Sequence, residues 1–288
     1  MSALFGPAGQ CEESRAEAKN TVEFIRYLAA RGATAFEYQC GRGVNIGESK
    51  AREIGDAAKE AGIQISLHAP YYISLASAEE QKRENSVGYI LQSARAVQRM
   101  GGTRIVVHPG GLGKMERAEA TELACTVLSK ARRKLDEEGY EDVILCPETM
   151  GKVNQLGNLS EILTFCRLDG RNIPCIDFGH LNARTQGGLK SKEDFAQILI
   201  EIEKALGRER LTRFHSHFSK IEYSKGGEVR HLTFEDKQYG PKFEFLMELV
   251  AEQSLSPTFI CESAGTQTRD ALLMKKHYTR LASKAKRL

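Results

Sequence analysis

A (β/α)8 barrel is the fold class this sequence predicts, and three observations predict it. Eight short apolar runs alternate strictly with eight longer amphipathic stretches, the pattern of a parallel sheet wrapped by helices. The chain has 288 residues, enough for one barrel of about 250 residues. The third to eighth strand candidates end in or beside His, Asp or Glu, and in a closed parallel barrel those carboxyl ends form one face. Two Rossmann-like halves are the rival architecture, but no GxGxxG follows an early strand. No linker-like shift in composition and no low-complexity segment interrupts the chain, so residues 1–288 read as a single domain.

Taken in order, 4–6 reads as a first strand and 14–31 as a helix, with Ala18, Val22, Ile25, Leu28 and Ala29 on one face and Gly32 as its stop. Strand 33–39 and helix 48–61, stopped by Gly62, follow. Strand 63–67 runs into His68, and helix 79–100 ends at Gly101-Gly102. Strand 104–107 runs into His108, and helix 116–138 stops at Gly139. Strand 143–146 leads to Pro147-Glu148, and helix 159–168 to strand 174–176, which ends on Asp177 and His180 around Gly179. Ser191 caps the helix to 206, with Glu193 and Asp194 in its first turn. Strand 211–214 leads into His215-Ser216-His217; a long polar loop, 220–240, precedes helix 241–253. Strand 258–261 ends at Glu262, and 267–284 forms the last helix.

Composition narrows the class. A hydrophobic fraction of 41% beside 27% charged residues belongs to a water-soluble globular protein, and no run nears the roughly 18 apolar residues that span a bilayer. Residues 1–9 lack the features of a signal peptide, so the expected location is cytoplasmic. Seven cysteines form no CxxC pair, which argues against a disulfide framework or a thiolate zinc site; Cys146, Cys175 and Cys261 lie inside apolar runs and read as small buried hydrophobes. A net charge of +3 permits a polyanionic partner without demanding one. Lys275-Lys276, Arg280, Lys284 and Lys286-Arg287 read as a solvated basic helix face within reach of DNA.

His68, His108, Glu148, Asp177, His180, His215 and Glu262 thus share one rim, with His231 in the loop above it. A lone strand-end histidine is commonly a packing residue. Four imidazoles and three carboxylates in one mouth are different, because burying them together is costly without a cation. Nitrogen and oxygen donors suit zinc, with manganese or iron as further candidates. Eight donors exceed what one catalytic ion uses, which implies two or three ions. Clustered divalent ions clamp the attacking and leaving oxygens of a phosphodiester, so phosphoryl chemistry comes first. Glu148, central in chain order, is the candidate catalytic residue and bridge between two ions; a general base beside one ion is its alternative role.

The stretches HAPYY (68–72), HPGG (108–111), PETMGK (147–152), CIDFGH (175–180), HSHFSK (215–220), RH (230–231) and CES (261–263) resemble endonuclease IV, the zinc-dependent apurinic/apyrimidinic endonuclease family, whose members are TIM barrels of the xylose isomerase-like superfamily. The resemblance implies a three-zinc barrel that cleaves duplex DNA 5′ to an abasic site and leaves a 3′-hydroxyl. Carried over, His68 and His108 hold one ion, and Glu148 bridges it to a second that Asp177, His215 and Glu262 complete. His180 and His231 hold the third. Tyr71 and Tyr72 match positions that enter the DNA around the flipped abasic sugar; an ordinary packing role is the alternative. Arg42 is the one cation left to meet a phosphate in a shortened loop after strand two. No membrane and no protein partner is implied.

The chain departs from the family at the third ion. The family pairs its last histidine with an aspartate two residues earlier, where this chain has Val229; Glu228 or His217 are the candidate substitutes. The strand-seven motif His-Leu-Asn-Asp-Ser-Lys becomes His-Ser-His-Phe-Ser-Lys. A sugar isomerase or epimerase of the same superfamily is the alternative function, since it uses one or two ions on a Glu, Asp, His, Glu set but does not need His68 and His108. A non-catalytic metal-containing binding protein is a third reading, with no residue pattern of its own. Gly110-Gly111-Leu112-Gly113-Lys114 lacks P-loop spacing and reads as a rim loop.

Overall fold

The computed structural model describes residues 2–285; Lys286 and Arg287 of the basic tail lie outside the described residues. Strands β1 (Leu4–Pro7), β2 (Ala35–Gln39), β3 (Gln64–His68), β4 (Arg104–Val107), β5 (Ile144–Pro147), β6 (Cys175–Asp177), β7 (His215–Phe218) and β10 (Thr258–Cys261) form the barrel wall. Helices α1 (Thr21–Ala30), α2 (Glu48–Ala61), α3 (Glu80–Arg99), α4 (Arg117–Glu137), α5 (Leu159–Arg167), α7 (Lys192–Leu206), α9 (Phe243–Glu252) and α10 (Gln267–Ala285) cover it. Two parallel four-stranded ladders, β1-β10-β7-β6 and β2-β3-β4-β5, make up the wall. Single bridges between Ala8 and Glu37 and between Glu148 and Cys175 close the two seams. The expected α/β barrel is therefore present, with eight parallel wall strands. No described helix is long and apolar enough to cross a membrane.

Local signals explain most boundaries. Ala51, Ile54, Ala57 and Ala58 bury one face of α2, and Gly62 in the left-handed conformation (φ 67°) ends it. A capping box of Asn158 and Glu161 starts α5, and one of Ser191 and Asp194 starts α7. Phe178, Phe195 and Phe218 pack ring against ring between the wall and its helices, adding aromatic pairing to apolar burial.

Four boundaries differ from the sequence reading, each for a local reason. The first helix begins at Thr21 rather than residue 14, because Asn20 caps it by accepting from the Glu23 amide, while Glu12–Ser14 make a separate 3-10 turn. Asp177 caps a short extra helix, α6 (Phe178–Arg184). The apolar stretch 211–214 is not the seventh strand: Arg208–Thr212 form a short helix, α8, and the strand starts at His215. Leu211 is buried in that helix, so its apolar character is satisfied without a strand. Finally, the polar loop 220–240 contains an antiparallel hairpin, β8 (Lys220–Ser224) and β9 (Gly227–Leu232), turned at Lys225-Gly226.

Candidate metal centre

Alternation along parallel strands turns every second side chain into the barrel, and the strand ends converge on Glu148. His68 Nε2 lies 3.1 Å from His108 Nε2 and 3.2 Å from Glu148 Oε2. His108 Nε2 lies 3.0 Å from the same oxygen. Nδ1 of His68 is 2.8 Å from the Ala69 carbonyl, which accepts its proton and turns the Nε2 lone pair toward the other two groups. Tyr71, 59% exposed, closes over this trio with its ring centroid 5.7 Å from both imidazoles.

The other oxygen of Glu148 serves a second set. His217 Nδ1 lies 3.1 Å from Glu148 Oε1 and 3.5 Å from Glu262 Oε2, and Glu148, Asp177, His217 and Glu262 each offer one donor atom within 4.8 Å of the rest. One Asp177 oxygen accepts from the His180 amide at 2.7 Å. Its Oδ2 is buried without a hydrogen-bond partner. An unpartnered buried carboxylate oxygen facing three other donors fits a cation, since burying it alone is costly.

His215, assigned to this set from the strand-seven motif, does not reach it; the correction is one pleat. The strand begins at His215, so residues 215 and 217 both point inward at different depths. The register pairs Asp177 with His217 and Cys175 with His215. His215 is one layer down, its Nε2 2.9 Å from Glu37. At that depth Cys175, His215 and His217 also bring one donor atom each within 4.8 Å of one another, with the Cys175 thiol pushed well up by burial.

A third set stands on the hairpin. Glu228 Oε2 lies 3.3 Å from His180 Nε2, and Oε1 lies 3.7 Å from His231 Nε2. His180 Nδ1 is 2.9 Å from the Thr149 carbonyl, and His231 Nδ1 is 2.8 Å from Ser219 Oγ. In a regular strand, residues three apart face opposite ways. Here Tyr223 pairs with Glu228 and Glu222 with Arg230, which leaves Val229 as the extra residue of a bulge. The bulge turns Glu228 and His231 to the same side, while Val229 is 51% exposed. Gly151 makes room: a Cβ there would stand 2.6 Å from Glu228 Cβ and 3.0 Å from His180 Cδ2.

His68, His108, His180, Glu228, His231 and Glu262 from these sets line a mouth of about 620 Å³ that also holds Tyr71, Lys152 and Gln155. Tyr72, 54% exposed, instead turns its ring toward Tyr89, 6.0 Å away. Arg42 is exposed in the loop after β2 and does not line the mouth. Two residues of the centre are not placed by the sequence: His217 is offered there only as a substitute at the third ion, and Glu37 has no part in it, although an acid inside the strand Ala35–Gln39 is itself a signal.

Electrostatics follow from this crowding. Burial opposes charge on His217 and His180, yet the carboxylates around them hold both well above the usual imidazole value. Burial likewise opposes ionisation of Glu148 and Glu262, but His217 pulls both down, Glu262 to about 2. Burial, with Glu262 and Glu148 beside it, raises Asp177; burial, with neighbouring cationic groups, lowers His108 and, to about 4, His215. Protons on His180 and His217 thus occupy places a cation would take. Divalent-ion uptake is expected to release protons near neutrality, and affinity is expected to climb with pH until those imidazoles are neutral. Calorimetry in buffers of different ionisation heat measures both; uptake without proton release contradicts the assignment.

Comparison with known proteins is consistent with this geometry. A family model described as xylose isomerase-like TIM barrel matches residues 25–278. An uncharacterized protein of Methanocaldococcus jannaschii is 33% identical over 278 residues, covering 96% of this chain and 97% of its own. A probable endonuclease 4 of Aster yellows witches'-broom phytoplasma is 26% identical, covering 82% of this chain and 81% of its own. Among solved structures, a D-tagatose 3-epimerase-like protein superposes with a TM-score of 0.73 at 19% identity, over 98% of this chain and 99% of that one; at that identity the likeness speaks for the fold alone.

Proposed function

The chain belongs to the xylose isomerase-like TIM barrel family, and from its rim we propose that it is a hydrolase of the endonuclease IV type, using two or three divalent ions, zinc foremost, to cut duplex DNA 5′ to abasic sites. The observation that carries this reading is the sharing of Glu148: one oxygen faces His68 and His108, the other faces His217, with the Glu228 set beside them. Relatives named probable endonuclease 4 support it.

In this reading His68, His108 and Glu148 hold one ion; Glu148, Asp177, His217 and Glu262 a second; His180, Glu228 and His231 a third. Such ions neutralise phosphoryl oxygens and supply hydroxide near neutral pH. The chain's own residues do the rest. Carbonyls of Ala69 and Thr149 take the outer N–H of His68 and His180, which orients each ring. Lys152 stands in the mouth as a point charge for a phosphate. Tyr71, over the first imidazole pair, is the aromatic wall for an extruded sugar, with Tyr72 and Arg42 as outer contacts to the duplex.

The second reading is a ketose epimerase, which needs only Glu148, Asp177, His217 and Glu262; that these four offer donor atoms within 4.8 Å of one another favours it. A duplex oligonucleotide with one stable abasic analogue separates the two. Nicking 5′ to the lesion, leaving a 3′-hydroxyl and abolished by chelator, is the expected result, with more than one ion per chain. No nicking at several-fold protein excess, with a single ion per chain, selects the epimerase.

A further inference from the structure

Glu37 is the buried acid that the reaction above leaves unused. It is fully buried on β2, below the rim, and four donors converge on its two oxygens. Gln39 Nε2 donates to Oε1 at 3.1 Å, and His217 Nε2 stands 2.9 Å from the same oxygen, out of line for a well-formed bond. Ser66 Oγ donates to Oε2 at 2.9 Å, and His215 Nε2 lies 2.9 Å from it. An ionised carboxylate has about four acceptor positions and no donor; Gln39, Ser66 and His215 fill three of them, and the fourth is the one His217 Nε2 stands beside. His217 has a carboxylate on each nitrogen, Glu37 behind Nε2 and Glu148 and Glu262 before Nδ1; His180 shares that arrangement, with Glu148 and Asp177 at Nδ1 and Glu228 at Nε2, but only the acid behind His217 is fully buried below the rim.

We propose that Glu37 is the positioning residue of the central ion site: by taking the Nε2 proton of His217, it fixes the ring so that Nδ1 is the atom turned to Glu148 and Glu262. The inference rests on the ligand sets of the proposed function. His217 then differs from His68, whose outer proton goes from Nδ1 to a main-chain carbonyl and whose Nε2 faces the mouth. A carboxylate behind a ligating imidazole raises its basicity as well as aiming it, and removing such a partner typically weakens ion binding by roughly 10- to 100-fold. His215 supports Glu37 from the deeper layer: with Ser66 it fills the second oxygen, and Glu37 is thereby held against the β7 histidines.

Glu37→Gln tests this with almost no change in volume. An amide accepts at one oxygen only, so at least one of the two imidazoles loses its acceptor. Zinc-stripped protein is reloaded, ions per chain are counted, and affinities are measured by competition with a chromophoric chelator. The expected result is one ion bound roughly 10- to 100-fold more weakly, the others unchanged, and partial restoration in Glu37→Asp. In zinc-loaded protein as it exists, the ring nitrogen-15 signals of His217 should show Nε2 protonated and Nδ1 bare. A Glu37→Gln protein that loads every ion as tightly as the parent overturns the proposal, as does a loaded parent with the proton on Nδ1. The second measurement decides even where Glu37→Gln does not fold. A parent chain that binds no ion defeats the proposed function and this inference together; a parent that loads ions while Glu37→Gln is indifferent defeats this inference alone.

Discussion

In a Glu148→Gln protein, nicking of abasic duplex is expected to fall about a thousandfold, equivalent to roughly 4 kcal/mol of lost transition-state stabilisation, and the ion count is expected to fall by at least one. Glutamine has the same shape but one acceptor oxygen and no charge. Glu148 uses both oxygens in different directions, Oε2 toward His68 and His108 and Oε1 toward His217, and an amide must turn its N–H2 toward one of these sets. Whichever way it lies, a ligand atom is replaced by a donor pointing at other ligands. Substitution at this residue therefore damages two sets at once, whereas loss of His68 or Glu262 damages one. Nicking and ion count are measured side by side, and a Glu148→Gln protein that cuts within tenfold of the parent sinks the bridging role.

The hairpin makes an equally direct prediction. Glu228→Ala is expected to lose the outermost ion and to slow nicking by about a hundredfold or more, because among the described residues Glu228 is the carboxylate paired with both His180 and His231. Deleting Val229 is expected to do far less. Removal of the bulged residue leaves Glu two positions before His, the spacing at which a regular strand puts both on one face. Adding Val229→Asp to Glu228→Ala is expected not to restore activity, since position 229 is turned outward and half exposed. Ions per chain and nicking rate read out all three; rescue by the aspartate, or collapse on deletion, contradicts the bulge account.

Most of the barrel was legible because the third to eighth strands end where an apolar run meets a candidate ligand, and several helices stop at a glycine. The same rule failed at strand seven. Residues 211–214 are Leu-Thr-Arg-Phe, with apolar side chains only at the two ends, and a short helix buries Leu211 as well as a strand does. That slip of a few residues carried the ligand assignment to His215 instead of His217, for the residues alternate and both are histidines. Glu228 was visible only as a candidate, because a bulge is a property of pairing with the opposite strand and not of the bulged sequence. Glu37 was hidden for a related reason: Ser66 meets it from the neighbouring strand β3, but His215 and His217 on β7 are far away in sequence and meet it only across the closed cylinder.

That cylinder is held by continuous ladders except at two places, where single bridges join Ala8 to Glu37 and Glu148 to Cys175. The set that joins the two halves is the second one: Glu148 follows the last strand of one curved sheet, and Asp177, His217 and Glu262 stand on the other. An ion seated there would act as a rivet between the two, beside the Glu148–Cys175 seam, whereas one held by His68, His108 and Glu148 would sit within a single half. Filling the second set is therefore expected to tie the rim together where the wall has least main-chain bonding.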